Sequence, residues 1–257
     1  MKVKLATIVV CLFPMFCHLS MGEINPDSII SAWLFDEGKG NTVKDLSTAK
    51  HHGSVKKPKW VKGKFGSALE FDGKPGSMDY VLIEENIGTF SEMTFCAWGI
   101  YTGNVGKFRM VWANNGWAGG DLHYQIRPPN ELVWAVNGDG GHLFSTIFFD
   151  DKQKDKWWHF ATVYSTEKKV RKYYINGKPD KSDDKATVKI LFGPGRLGSW
   201  DGGGREWMGI LDEIIVFNTV LEQEDIQMIM KQGVAKTLSV DQTGKLTTTW
   251  ANIKSSN

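Results

Sequence analysis

Two sets of residues in this 257-residue chain have the types and spacing to do chemistry. The first is aromatic and polar. Trp117, Asp121, His123 and Tyr124 lie in or beside one loop rich in Asn and Gly, and Asn137, Asp139 and His142 follow in the next. Trp200, Asp201, Arg205 and Trp207 occupy a third, glycine-rich loop, RLGSWDGGGREWMG. An aromatic plate against the apolar face of a sugar, with Asp, Asn, Arg or His reaching its hydroxyls, is the mixture that carbohydrate recognition uses. The competing reading is that tryptophans fill a core. Trp112, Trp134, Trp157 and Trp158 stand on apolar runs and are read that way, whereas Trp117 and Trp200, flanked by glycines and polar residues, admit both readings.

The second set is acidic: Asp36, Glu37, Asp72, Asp212 and Glu213. The last two interrupt GILDEIIVF, residues 209–217. Strict alternation there puts Ile210, Ile214 and Val216 on one face and Leu211, Ile215 and Phe217 on the other. A strand apolar on both faces belongs in the middle of a layered structure. A carboxylate buried in it must be paired, fully hydrogen-bonded or bound to a metal. Either a bulge turns both acids aside, or a cation meets them. A structural Ca²⁺, which takes six to eight oxygens, would relieve repulsion among Asp36, Asp72 and Asp212. Alternatively, Asp36 and Asp72 cap turns beside Gly38 and Gly73 while Asp212 accepts backbone amides.

The elements that must position these residues are mostly strands. Ser31–Asp36 reads as the first, and Ala68, Glu70 and Asp72 alternate with Leu69, Phe71 and Gly73 in another that ends in an Asp-Gly turn. Tyr80–Ile83 and Met93–Tyr101 follow, then aromatic strands between 111 and 149, then WHFATVYS and VRKYYINGKPD with a hairpin turn at Asn176-Gly177. Only Leu221–Lys231 reads as helix, stopped by Gly233. Short strands at regular spacing with a single late helix predict an all-β, two-sheet sandwich.

The opening MKVKLATIVVCLFPMFCHLSMG has two lysines before an apolar run and small residues before Glu23, the pattern of a secretory signal peptide over 1–22. Cleavage would leave no membrane span and a secreted, extracellular or periplasmic protein. It would also remove Lys2 and Lys4 and no acid, leaving 29 basic against 29 acidic side chains. A neutral protein has no electrostatic reason to seek nucleic acid. Cys96 would be the one remaining cysteine, in an apolar run, and is expected as a buried thiol. One domain over 23–235 and a polar tail over 236–257 complete the expected organisation.

Several stretches, in order, carry a resemblance: AWLFDEGKGNTVKDLS with HHGSV, GKFGSALEFDG, MTFCAWGIY, WHFATVYS with KYYINGK, and RLGSW with WMGILDEIIVFNTVLEQEDI. Together they resemble the laminin-G-like, concanavalin A-like lectin/glucanase superfamily of jelly rolls across about 31–233. That resemblance implies a two-sheet antiparallel jelly roll whose first and last strands lie side by side, so that Asp36 and Asp212 approach. It also implies the structural calcium, since many relatives carry one. Glucanases of this fold place acids as Glu-x-Asp-x-x-Glu on one strand; here Glu70-Phe71-Asp72 runs into Gly73, Lys74 and Pro75 without the third acid. The resemblance therefore implies a non-catalytic module for an extracellular glycan or glycoconjugate. A protein-interaction scaffold without a small ligand is the alternative, followed by a divergent glycan-active enzyme. Glu222 departs from the serine helix cap usual in the family, which would leave an N-terminal amide less well satisfied.

Overall fold

The computed structural model describes residues 24–103 and 106–240. The expected leader and the tail beyond 240 lie outside the described residues. Two large antiparallel sheets face each other. The first runs β15 (Lys178–Asp183), β14 (Val170–Ile175), β13 (Trp157–Ser165), β8 (Glu92–Tyr101), β18 (Met208–Phe217), β5 (Ser67–Asp72) and β4 (Lys59–Lys62), with β1 (Ile29–Trp33) also paired to β18. The second runs β12 (Leu143–Phe148), β11 (Glu131–Val136), β10 (Leu122–Arg127), β9 (Arg109–Asn114), β17 (Gly195–Leu197), β6 (Tyr80–Ile83), β3 (Gly53–Lys56) and β2 (Thr42–Val43). A small ladder joins β16 (Ile190–Phe192) to β7 (Gly88–Phe90). This is the expected jelly-roll sandwich, with the first and last strands side by side.

The principal core fills the space between the sheets. Trp112, Tyr124, Trp134 and Phe95 are buried there, with Phe95 edge-on to both Tyr124 and Trp134. A second apolar cluster lies on the far side of the first sheet. There α1 (Gln223–Gln232) lays Ile226 and Ile229 over Ile215, Phe217, Ala161 and Cys96. Cys96 is fully buried, and burial pushes its thiol well above the usual range. At the start of α1 the Asp225 carboxylate accepts the Glu222 amide at 3.2 Å, which supplies an N-terminal partner despite the missing serine. Gly233, at φ +76°, ends the helix, and a second short helix, α2 (Val234–Val240), follows it.

Strict alternation in β18 fails at its middle. Glu213 has φ +47°, and the pairing with β8 slips by a residue between Asp212 and Ile215. The extra residue changes the phase of the strand. Leu211 therefore faces the inter-sheet core together with Ile214 and Val216, while Ile215 and Phe217 face the helix. The bulge raised as one alternative by the sequence is the one the chain adopts.

Candidate functional site

Asp212 is fully buried beside this bulge. Its Oδ2 accepts the Lys64 and Phe65 amides at 2.8 and 3.1 Å, and its Oδ1 accepts the Glu213 amide at 2.8 Å. Burial pushes the carboxyl up to about 7; the three amides oppose that rise and the charge of Asp36 adds to it. Asp36 is thus near Asp212, and its Oδ1 accepts the Ser67 amide at 3.3 Å at the first residue of β5. Asp72 stands at the opposite end of the same strand, roughly 16 Å away at the usual rise per residue. There its Oδ1 accepts the Lys74 amide at 2.9 Å, closing the turn around Gly73. Among the described residues no three His, Cys, Asp or Glu side chains are grouped to hold a metal ion. Asp36, Asp72 and Asp212 consequently do not fit one calcium ligand set, and the acids at the seam act as anchors for backbone amides.

The aromatic loops make a different place. On β10 the sequence LHYQIR turns Leu122, Tyr124 and Ile126 into the core and His123, Gln125 and Arg127 to the outer face of the second sheet. Ala113 and Ala135 are the cross-strand neighbours of His123, and their small side chains leave space over the sheet. Loops bring Phe108, Trp117, His142, Trp200 and Arg205 around that floor, enclosing a cleft of about 330 Å³. Its size is at the small end of the roughly 300–1,000 Å³ typical of ligand clefts.

Trp117 packs against His123 with ring centroids 4.4 Å apart and remains 41% exposed. The loop that carries it is tied down by Asn137, whose Nδ2 donates to the Trp117 carbonyl at 2.7 Å. His123 donates from Nε2 to the Gly116 carbonyl at 3.0 Å, which fixes its tautomer. Burial, and secondarily the charge of Arg205, lowers its pKa. His142 is lowered likewise by burial and then by Arg127 and Arg171. Arg127 donates from Nη1 to His142 Nδ1, which requires a neutral imidazole there. Three buried polar atoms of this lining have no hydrogen-bond partner among the described residues: Gln125 Oε1, Arg127 Nε and Trp200 Nε1.

The cleft therefore brings together Trp117, His123, His142, Trp200 and Arg205, and adds Phe108, Gln125 and Arg127, which the sequence reading did not single out. The signal for Gln125 and Arg127 was present, because alternation puts both on the face that carries His123. The other loop residues stand elsewhere. Tyr124 points into the core and accepts the Thr162 hydroxyl at 3.0 Å. Asp121 is buried, accepting Asn114 Nδ2 at 2.8 Å and the Ala118 amide, so it shapes the Trp117 loop. Asp139 holds Tyr164, the Thr187 and Val188 amides and the Arg171 guanidinium, the last at 3.3 Å. Asp201 is exposed outside the cleft lining, and Trp207 is buried against Tyr101. Trp112 and Trp134 are buried as expected, but Trp157 is only half-buried, edge-on to Trp98 at the end of β13.

A larger cleft of about 650 Å³ lies by β5 and includes Glu70, Asp72, Asp79, Lys57, Lys59 and Lys74. Its charges answer each other, as in the 3.5 Å Lys74–Asp72 pair, and its one aromatic ring, Phe71, is buried. It lacks the exposed ring that stacking on a sugar requires.

A family model described as the concanavalin A-like lectin/glucanases superfamily matches residues 75–227, more than half of the chain. No curated protein matches the chain in sequence. Among solved structures, it is similar to the binding domain of Paraclostridial Mosquitocidal Protein 1, with 16% identity and a TM-score of 0.64 over 80% of this chain and 52% of that one. It is similar to domain 4 of AbnA, a GH43 extracellular arabinanase from Geobacillus stearothermophilus, in complex with arabinotriose. That likeness has 13% identity and a TM-score of 0.59, over 79% of this chain and 98% of the domain. The binding domain of botulinum neurotoxin DC in complex with SialylT gives 15% identity and a TM-score of 0.60, over 80% of this chain and 51% of that one. The chain spans about half the length of the two toxin binding domains. At these identities the likeness is one of fold.

Proposed function

The chain belongs to the concanavalin A-like lectin/glucanases superfamily, and from that premise we propose that it is a secreted, non-catalytic module that recognises an extracellular glycan or glycoconjugate in the Trp117–Trp200 cleft. One observation carries the reading: an exposed tryptophan stands beside buried polar atoms that have no partner among the described residues. Buried atoms elsewhere among the described residues, such as Trp134 Nε1 and Glu206 Oε2, also lack a partner, but these three gather around one cleft beside an exposed tryptophan, where a ligand or water would meet them. Stacking on Trp117 would hold the apolar face of a sugar ring, while Gln125 Oε1 and Trp200 Nε1 would accept from and donate to its hydroxyls. The cleft lining contains no carboxylate, whereas glycoside hydrolysis needs two flanking the scissile bond. That supports binding over cleavage. Secretion rests on the leader pattern of residues 1–22.

Mechanistically the sandwich acts as a rigid frame, and selectivity lies in loops docked on one sheet. The test is titration of tryptophan fluorescence with an oligosaccharide panel, repeated with Trp117→Ala. A sugar-dependent change that the substitution abolishes is the expected result. No response to any sugar, or binding indifferent to Trp117, overturns the reading.

A further inference from the structure

The charge of the cleft says more than that it takes a sugar. No acid lines it, and two arginines do. The Arg205 guanidinium lies over the Phe108 and Trp200 rings, 4.8 and 4.5 Å from their centroids. Stacking of this kind holds the plane of the group and leaves its N–H edges available to a planar anion. Arg127 lies 5.5 Å from the Phe108 centroid and 5.8 Å from that of Phe144, so the Phe108 ring serves both guanidinium groups. Among the described residues neither arginine forms an ion pair. Glu131 is directly opposite Arg127 in the β10–β11 register, yet Arg127 turns to His142 instead. Asp121, just before β10, is committed to Asn114 and the Ala118 amide.

We propose that the cleft selects a sugar unit carrying an anionic group, a carboxylate or a sulfate ester, seated on the free N–H edges of Arg127 and Arg205. This rests on the glycan reading and adds to it the sign of the ligand's charge. Both imidazoles are held towards their neutral forms, so at neutral pH the positive charge of the lining comes from the arginines. Burial, and then the neighbouring Arg127, lowers the pKa of Arg205, the signature of a cation held near another without a counter-ion. An anion would relieve that repulsion and supply the missing acceptor for Arg127 Nε. Bidentate guanidinium–carboxylate or guanidinium–sulfate contacts fit a group presented from a ring stacked on Trp117.

The experiment is calorimetry with matched pairs: a uronate oligosaccharide, a sialylated trisaccharide and a sulfated disaccharide, each beside its uncharged counterpart. At least one anionic sugar is expected to bind roughly tenfold or more tightly than its counterpart, the fold-change for a charge-assisted hydrogen bond. Its affinity should fall as salt is raised. Arg205→Gln and Arg127→Gln should each erase the preference without moving the melting temperature by more than a few degrees. The arm that responds identifies carboxylate or sulfate. If uncharged sugars bind as tightly as all the anionic ones, or the folded arginine variants keep the preference, the charge proposal falls while the glycan reading stands. If no sugar of either kind binds, the glycan reading falls and takes this inference with it.

Discussion

The acids Asp139 and Asp212 and the guanidinium-lined cleft all withdraw polar atoms from water, but they do so with opposite outcomes. Asp139 meets a hydroxyl, backbone amides and an arginine, and Asp212 meets three amides. In the cleft, Gln125 Oε1, Arg127 Nε and Trp200 Nε1 meet no partner among the described residues. The presence of arginine alone does not separate the two regions, since it occurs in both. The grouping of the polar atoms does: Asp139 and Asp212 tie segments of chain together, whereas three unmet atoms of the cleft stand together beside an exposed tryptophan. Each substitution below tests whether a region behaves as its hydrogen bonding says.

Asp139→Ala should have the largest effect. The Asp139 and Arg171 side chains are both fully buried, and removing the acid leaves Arg171 with Asp183 as its one ion-pair partner among the described residues and strips the Thr187 and Val188 amides of their acceptor. Breaking such a pair costs about 3–5 kcal/mol. Urea denaturation should show a clear fall in midpoint with little change in slope. A variant as stable as the parent would make Asp139 a dispensable loop residue, and the comparison would lose its first half.

Asp212→Asn should come next. The amide nitrogen must replace one carboxylate oxygen and face a backbone donor, leaving a buried N–H unmet at about 1–3 kcal/mol. The same residue gives a pH dependence. Its folded pKa, about 7, lies above that of an unfolded aspartate, so protonation favours the folded state. That contribution is fully present below about pH 4 and is lost as the pH rises through about 7. Stability measured from pH 5 to pH 8 should therefore decline more steeply in the parent than in Asp212→Asn. Parallel curves would remove Asp212 as the cause.

How far the sequence could lead differs between these regions for physical reasons. Tyr80–Ile83 and the central strand around Cys96 follow from hydrophobic runs and turn residues, which local sequence encodes. The strand bulge was legible only as an alternative. Two adjacent acids in an apolar strand demand compensation, but the partners, Lys64 and Phe65, are nearly 150 residues away. Asp139 looked like its neighbours Asn137 and His142 for the same reason, since Arg171 on β14 and Thr187 in the loop before β16 reach it from far along the chain. Phe108 and Arg127 escaped notice because their pairing exists only across loops. The period-2 pattern of LHYQIR, by contrast, already separates Tyr124 in the core from His123, Gln125 and Arg127 outside it.

Trp117→Ala is expected to have the smallest effect on stability and so marks the contrast most sharply. The ring is 41% exposed and touches His123 and His142 without a hydrogen bond of its own. The loop's tie runs through the Trp117 carbonyl, which alanine retains. Exposed substitutions away from buried networks usually fall within about 0.5 kcal/mol, so the melting curve should hardly move. Loss of a stacking plate, however, should weaken binding of a sugar held in the cleft by roughly tenfold, in keeping with about 1 kcal/mol or more for an aromatic contact. Measured side by side, Asp139→Ala should lower stability and Trp117→Ala should lower affinity. If Trp117→Ala instead unfolds the protein as Asp139→Ala does, the ring belongs to the core after all, and the cleft is part of the frame rather than a binding surface carried on it.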